Sequence, residues 1–282
     1  MKRRRIEETV FKGLMIASVS VVVAVLVAII LVIVLRGASS LSLSMLFETP
    51  KGGYYLGKGG GIANAIVGSL YLSLGASILS FLLSLPIAFA LQKEYTGRHL
   101  ANVTRLALDI LWGTPSIVYG AFGFVVMVYL GLRASLLGGI IALTLLMLPI
   151  MTRSMEEVIR MIPLELKETS YALGATRIET TVRVVLRQAL PGITTGILLA
   201  FGRGIGDAAS ILFTAGYTDY IPRSLFDPVA SLPLAVFFQV ATPIPEVQQR
   251  AYASALILLV IVLVVSIASR LLSRRFSRHI VR

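Results

Sequence analysis

From Leu14 to Leu35 the chain runs 22 residues without one charged side chain. At about 1.5 Å per residue, a helix of that length crosses the roughly 30 Å hydrocarbon core of a bilayer. In hydrocarbon every unpaired backbone N–H or C=O costs several kcal/mol, so only helices and closed barrels can span it. The run follows the basic cluster Lys2-Arg3-Arg4-Arg5, as a signal peptide would. It is longer than a signal core, and no small-residue cleavage site follows, so it reads as an uncleaved first membrane helix.

Five more blocks repeat the pattern: Ile62–Leu91 with Pro86 as a kink, Leu106–Leu132, Ala134–Thr152, Leu190–Gly216 and Ala251–Ser269. The chain is 56% hydrophobic and 14% charged, too apolar for a soluble domain of 282 residues. It has no cysteine, which removes disulfides, thiolate zinc sites and cysteine nucleophiles. An all-α membrane protein of six transmembrane helices is expected, with both termini on one side.

The net charge of +12 does not point to nucleic acid, because the basic residues sit between the apolar runs. With the termini inside, 19 of the 26 Lys and Arg lie in inner segments and six in outer ones, leaving Arg203 within a span. That asymmetry places both termini in the cytoplasm of a prokaryotic inner membrane.

Outside, the glycine-rich stretch Lys51–Gly61 lacks the GKS or GKT ending of a nucleotide loop and reads as a flexible linker. Ser231–Ala241 is apolar but too short to cross. It lies at the outer interface or dips against other helices, either closing the bundle or gating it.

The inner connection Arg153–Ala189 is far longer than a loop requires. Pro163 suits the first turn of a helix through Glu165, Lys167, Glu168 and Tyr171, and Gly174 suits a left-handed C-terminal cap. Thr176 followed by Glu179 is a capping box that starts a second short helix. The expected object is a rigid helical protrusion, suited to docking a partner.

The segment Glu168-Thr169-Ser170-Tyr171-Ala172-Leu173-Gly174-Ala175-Thr176 resembles the EAA loop of ABC importer permeases. Together with Leu111-Trp112-Gly113-Thr114-Pro115-Ser116-Ile117-Val118-Tyr119-Gly120, Gly196–Ala215 and Ala230-Ser231-Leu232-Pro233, it resembles the PstA-type permease subunits of phosphate ABC importers, over nearly everything after about Asn64. Thr169 and Ser170 replace the usual two alanines, and Arg187 stands where many members have proline, so Leu190-Pro191 is expected to break the chain before the fifth span.

The resemblance implies the type I ABC importer permease fold and an ion-transport subunit, not an enzyme. It implies a PstC-like permease partner, a dimer of ATP-binding subunits, a soluble phosphate-binding protein and surrounding lipid, without nucleic acid. No cofactor is expected in this chain, and ATP and magnesium belong to the partners. Residues 1–61 would form the basic segment, first helix and linker, 62–272 the transmembrane domain with its coupling helices, and 273–282 a basic tail. ATPase coupling would rest on Glu168, Thr169, Ser170, Ala172 and Gly174.

Arg203 and Asp207 are four apart, within pairing reach on one helical face. Charge inside a membrane must face a partner or water. The two either neutralise each other, or Arg203 meets the transported anion while Asp207 restrains it. Arg153 either extends that path or snorkels to the interface, and the resemblance places transport-relevant arginines at both Arg153 and Arg203. Asp109 is a boundary residue or a minor member of the path. Trp112 and Tyr119 read as packing or interfacial aromatics, and His99 and His279 form no metal or nucleophile pair. A permease for another oxyanion is the nearest alternative. A proton-coupled secondary transporter is disfavoured by the EAA-like loop and the few buried carboxylates.

Overall fold

The computed structural model describes residues 2–52 and 59–276. In these, the one departure from helix and irregular backbone is an isolated antiparallel bridge between Pro50 and Gly60. The helices are α1 (Lys2–Ala38), α2 (Leu43–Phe47), α3 (Ala63–Ala90), α4 (Arg98–Gly113), α5 (Ser116–Tyr129), α6 (Leu136–Arg160), α7 (Leu164–Ala172), α8 (Arg177–Thr180), α9 (Leu186–Ile205), α10 (Leu232–Val240) and α11 (Pro245–Phe276). Among the described residues five helices are long and apolar enough to span a membrane, and the bent pair α4–α5 makes a sixth if it is one broken span rather than a re-entrant loop. Most of the glycine-rich linker and the tail from residue 277, with His279, lie outside the described residues.

α6 is the axis, packed on α3, α4, α5 and α9. Its Met147, Met151, Met155 and Ile159 recur every four residues and are wholly buried. Lipid is as apolar as leucine, so helices in it associate through close packing at small residues. α3 and α6 interlock reciprocally: Ile140 fills the space over Gly75, and Leu72 that over Gly139. α9 meets α6 along Gly192, Gly196, Ala200 and Gly204, with Val158, Ser154 and Met147 against the three glycines. α1 packs chiefly on α11, where the Arg36 guanidinium stacks 5.2 Å from the Tyr252 ring centroid.

The expected third span is not one helix. It breaks after Gly113 and bends by 101°. Pro115 excludes its predecessor from helical geometry, and Thr114 is extended (ψ 128°). The Tyr119 hydroxyl donates back across the break to the Leu111 carbonyl. Gly120 lets the backbone approach: a Cβ there would lie 2.7 Å from the Ala209 carbonyl oxygen. Thus Tyr119 staples the bend.

The expected fifth span also differs at both ends. The helix begins at Arg177, passes through a π-helical stretch at Thr181–Val185 and continues through Pro191 without a break. The second hairpin helix is therefore the start of α9's span, not a separate short element. At the other end the helix stops at Ile205, before Asp207. The chain then turns irregularly, with Ser210, Ile211, Thr214, Ala215 and Thr218 buried and Gly206 and Phe213 exposed. Its carbonyls at Thr214, Asp227 and Leu225 accept from the backbone N–H groups of Ser135, Leu136 and Leu137, satisfying the start of α6.

The short apolar segment forms α10, which packs on α11 and α3 as the sequence anticipates. Ser231 caps it by accepting from Leu234 N, and the Leu232 N–H donates to Ser69 Oγ at 2.8 Å. Gly68 makes the approach possible, since a Cβ there would sit 2.0 Å from the Ala230 carbonyl oxygen. Gly68→Ala should therefore destabilise the protein by about 1–3 kcal/mol. Gly202→Ala, with nothing within 4 Å of its Cβ, should be neutral or slightly stabilising. Unfolding midpoints of the two variants in one detergent check the contrast.

Candidate functional site

Two candidate regions draw the predicted residues together. The first is the hairpin of α7 and α8. Pro163 stands at the N-cap of α7, one position before the first turn. Gly174 adopts φ +83°. Its N–H donates to the Tyr171 carbonyl, and the Ala175 N–H donates to Ser170, the bond pair of a Schellman cap. The Thr176–Glu179 capping box is fully formed. Ser170 Oγ lies 2.9 Å from Thr180 Oγ1 and joins the two arms, while Thr169 Oγ1 donates back to the Glu165 carbonyl. Small hydroxyl residues thus replace alanines at no steric cost. Glu168, Thr169, Ala172, Leu173 and Gly174 are exposed, with Leu173 at 84% and Ile178 at 70%. An apolar tip at the turn of the hairpin, where α9's span begins, suits a protein partner.

The hairpin is braced by the chain just after α3. Lys167, largely buried, places Nζ 2.8 Å from Glu94 Oε1. Arg177 donates to the Glu94 carbonyl, and Tyr95 Oη bonds the Arg177 carbonyl at 2.9 Å and Thr181 Oγ1 at 2.6 Å. Partial burial raises the Glu94 pKa, but hydrogen bonds from Lys167 and from backbone, with the charges of Lys167 and Arg177, overcome this and hold it low.

The second region is a charge network between α4 and α6. Arg153 forks onto Asp109, with Nε 3.1 Å from Oδ1 and Nη2 2.6 and 2.9 Å from Oδ1 and Oδ2. Its Nη1 donates to Glu156 Oε2 at 3.0 Å. Arg105 Nε holds the other oxygen of Glu156 at 2.7 Å, and Arg105 Nη2 donates to the Leu91 carbonyl, the cap of α3, at 2.9 Å. Two cations and two anions balance. Glu156 is buried, its side chain 2% accessible, while that of Asp109 is 52% accessible. A buried carboxylate requires such partners. Arg153 is therefore paired rather than free. Sequence reasoning missed Arg105 and Glu156; the signal was there, because Arg105/Asp109 at i,i+4 and Arg153/Glu156 at i,i+3 present complementary charges on two helices.

The pairing expected between Arg203 and Asp207 is not made. α9 ends between them, and Asp207 Oδ2 instead accepts from the Ser210 N–H at 2.8 Å, fixing the turn. Arg203 is exposed on the side of α9 that carries Leu199 and forms no hydrogen bond or ion pair with any described residue. Since Gly204 abuts Met147 and Gly196 abuts Ser154, Arg203 stands about 9 Å farther along the bundle than Arg153. No group of three or more His, Cys, Asp or Glu suited to a metal occurs among the described residues.

The chain belongs to the family of binding-protein-dependent transport system inner membrane components, which matches residues 80–278. The class is thus a permease subunit of a binding-protein-dependent importer. More narrowly, the chain is similar to the phosphate transport system permease protein PstA 1 of Mycobacterium tuberculosis (strain CDC 1551 / Oshkosh), 37% identical over 215 residues, 76% of this chain and 70% of that protein. It is 35% identical over 240 residues to PstA of Yersinia pestis, covering 85% and 80%. Among solved structures it resembles a chain of the inward-facing MetNI methionine ABC transporter in the CY5 native crystal form, with a TM-score of 0.62 at 19% identity, covering 76% of this chain and 95% of that one. That likeness supports the type I importer permease fold.

The brace of the hairpin predicts a pH dependence. Glu94 titrates below the ordinary glutamate value of 4.5, so its contribution is present above that pH and lost as pH falls through the lower folded value. Protection of the α7 amides, taken as exchange relative to the unfolded chain at the same pH, should fall below about pH 4.5 in the parent protein. Glu94→Gln should show fast exchange at neutral pH and a flattened dependence.

Proposed function

We propose that the chain is the PstA-type permease subunit of an ATP-driven phosphate importer, forming half of the translocation pathway. The observation that carries this reading is one geometry in one chain: a capped, apolar-tipped hairpin at the start of α9's span, and a guanidinium near the other end of that helix with no partner among the described residues. The first suits mechanical coupling. The second suits an oxyanion, because guanidinium offers a planar fork of donors. The name of the two curated relatives supplies phosphate as the anion.

In this reading the hairpin, through Glu168, Thr169, Ser170, Ala172 and Gly174, seats in a dimer of ATP-binding subunits. Those subunits hold ATP and magnesium and perform the hydrolysis, and this chain is not an enzyme. A PstC-like permease completes the pathway, and a soluble phosphate-binding protein delivers the anion at the opposite end. The charge asymmetry of 19 inner against six outer basic residues sets both termini in the cytoplasm. Arg203 attracts the anion within the membrane, and Arg153 lies farther along the same route. Asp207 contributes by fixing the turn just beyond Arg203. Net transport follows from alternating access, with ATP binding shifting the population between inward-open and outward-open arrangements.

Reconstituted vesicles holding the full complex test the reading. Phosphate uptake should require ATP and the binding protein. Uptake that ignores ATP and collapses with a protonophore would mean a secondary transporter, and competition by sulfate or molybdate would mean another oxyanion. Arg203→Ala should abolish most uptake at matched complex levels, and Arg203→Lys should restore only part, since ammonium lacks the fork. Because Arg203 and Asp207 do not touch, adding Asp207→Ala should not rescue Arg203→Ala.

Gly174→Val tests the coupling role. A β-branched residue at φ +83° is strained by about 1–2 kcal/mol. Recovery of the ATP-binding subunits in a pull-down should fall while membrane insertion stays normal.

A further inference from the structure

We propose that Asp109 is a built-in surrogate for the transported oxyanion, occupying the fork of Arg153 until the anion displaces it. The inference rests on the phosphate-permease reading above and assigns a residue which that reading leaves without a role.

The asymmetry of the network carries the argument. Arg153 is held by two carboxylates that differ in how removable they are. Glu156 is buried, and each of its oxygens is bonded to a different arginine. Dislodging it would strand a charge in the protein interior. Asp109 is half accessible, and among the described residues its oxygens accept only from Arg153. It occupies Nε and Nη2, the edge of the guanidinium that would grip a phosphate with two parallel bonds. Glu156 bonds the remaining Nη1 and so aims that edge at Asp109.

An anion arriving at Arg153 therefore exchanges with a carboxylate of similar geometry and does not enter an empty, high-affinity fork. Exchange keeps the charge around Arg153 balanced while the site is empty. It also supplies the competitor that pushes the anion off again, as a conduit needs. In this arrangement Glu156 is a positioning residue and Asp109 the displaceable one.

The test compares phosphate retention and turnover in the assembled complex. With radiolabelled inorganic phosphate and no binding protein present, the Asp109→Asn complex should retain phosphate about two- to fivefold more tightly than the parent, the range expected on losing one partly exposed competing charge. ATP-driven uptake by Asp109→Asn should fall, because release slows. Asp109→Glu, which keeps the charge, should move retention back toward the parent value. The gain should vanish when Arg153→Lys is added, since the fork is lost. If Asp109→Asn is not recovered in the complex, Asp109→Ser serves as the second variant.

Unchanged or weaker retention by an assembled, uncharged variant overturns the proposal and leaves Asp109 as a tie between α4 and α6. A gain that survives Arg153→Lys also overturns it. If the parent complex imports no phosphate, the functional reading itself fails, and that result is separate from either outcome.

Discussion

The fold depends on how closely α6 can be approached. In lipid there is little hydrophobic gain in bringing two helices together, so contact must come from interdigitation and from hydrogen bonds closed inside the bundle. Glycines supply the depth. Gly75 and Gly139 let α3 and α6 exchange Ile140 and Leu72, and the glycines of α9 admit Met147, Ser154 and Val158. Gly68 does the same for the backbone before α10. With α6 enclosed, its N-terminal amides can be satisfied by the irregular segment beyond α9, and its C-terminal turns can carry a buried carboxylate.

That carboxylate links the fold to the function. Glu156 lies just over one turn before the end of α6, which is followed within three residues by α7. The chain after α3 meets the same assembly three times: Leu91 accepts from Arg105, Glu94 holds Lys167 and Arg177, and Tyr95 bonds Thr181. A displacement of the hairpin thus bears on α3, α4 and α6 together. On the proposed coupling role, these are the contacts that would carry a force on the hairpin to Arg153. They form a physical route in the sense of packed, hydrogen-bonded elements rather than mere proximity.

Much of this was legible in the sequence, and the failures share one cause. Hydropathy measures the free energy of placing residues in lipid, not the continuity of a helix. It located the spans and recognised residues 231–241 as too short to cross. It could not see that α4 and α5 part at Pro115, or that the fifth span leaves helical geometry at Gly206. Local chemistry did better wherever backbone geometry alone decides, as with the left-handed Gly174 and the Thr176–Glu179 box. Arg203 and Asp207 were paired on the assumption that the helix continued through both. Glu156 was overlooked because, although Arg153 lies three residues away on the same helix, its second partner Arg105 comes from α4, 51 residues away, and its burial is set by that tertiary contact.

The two arginines on the proposed route differ in a way that suits transport. Arg203 has no described partner and sits where one cation can draw an anion out of water. About 9 Å on, Arg153 is already neutralised by Asp109 and Glu156. Two free guanidinium groups in series would make each site a sink, since desolvated charge pairs in a membrane hold strongly. One open cation followed by one occupied cation grades the attraction. On the proposal made above, the anion is captured at the first and trades places at the second, so each step stays shallow enough to leave.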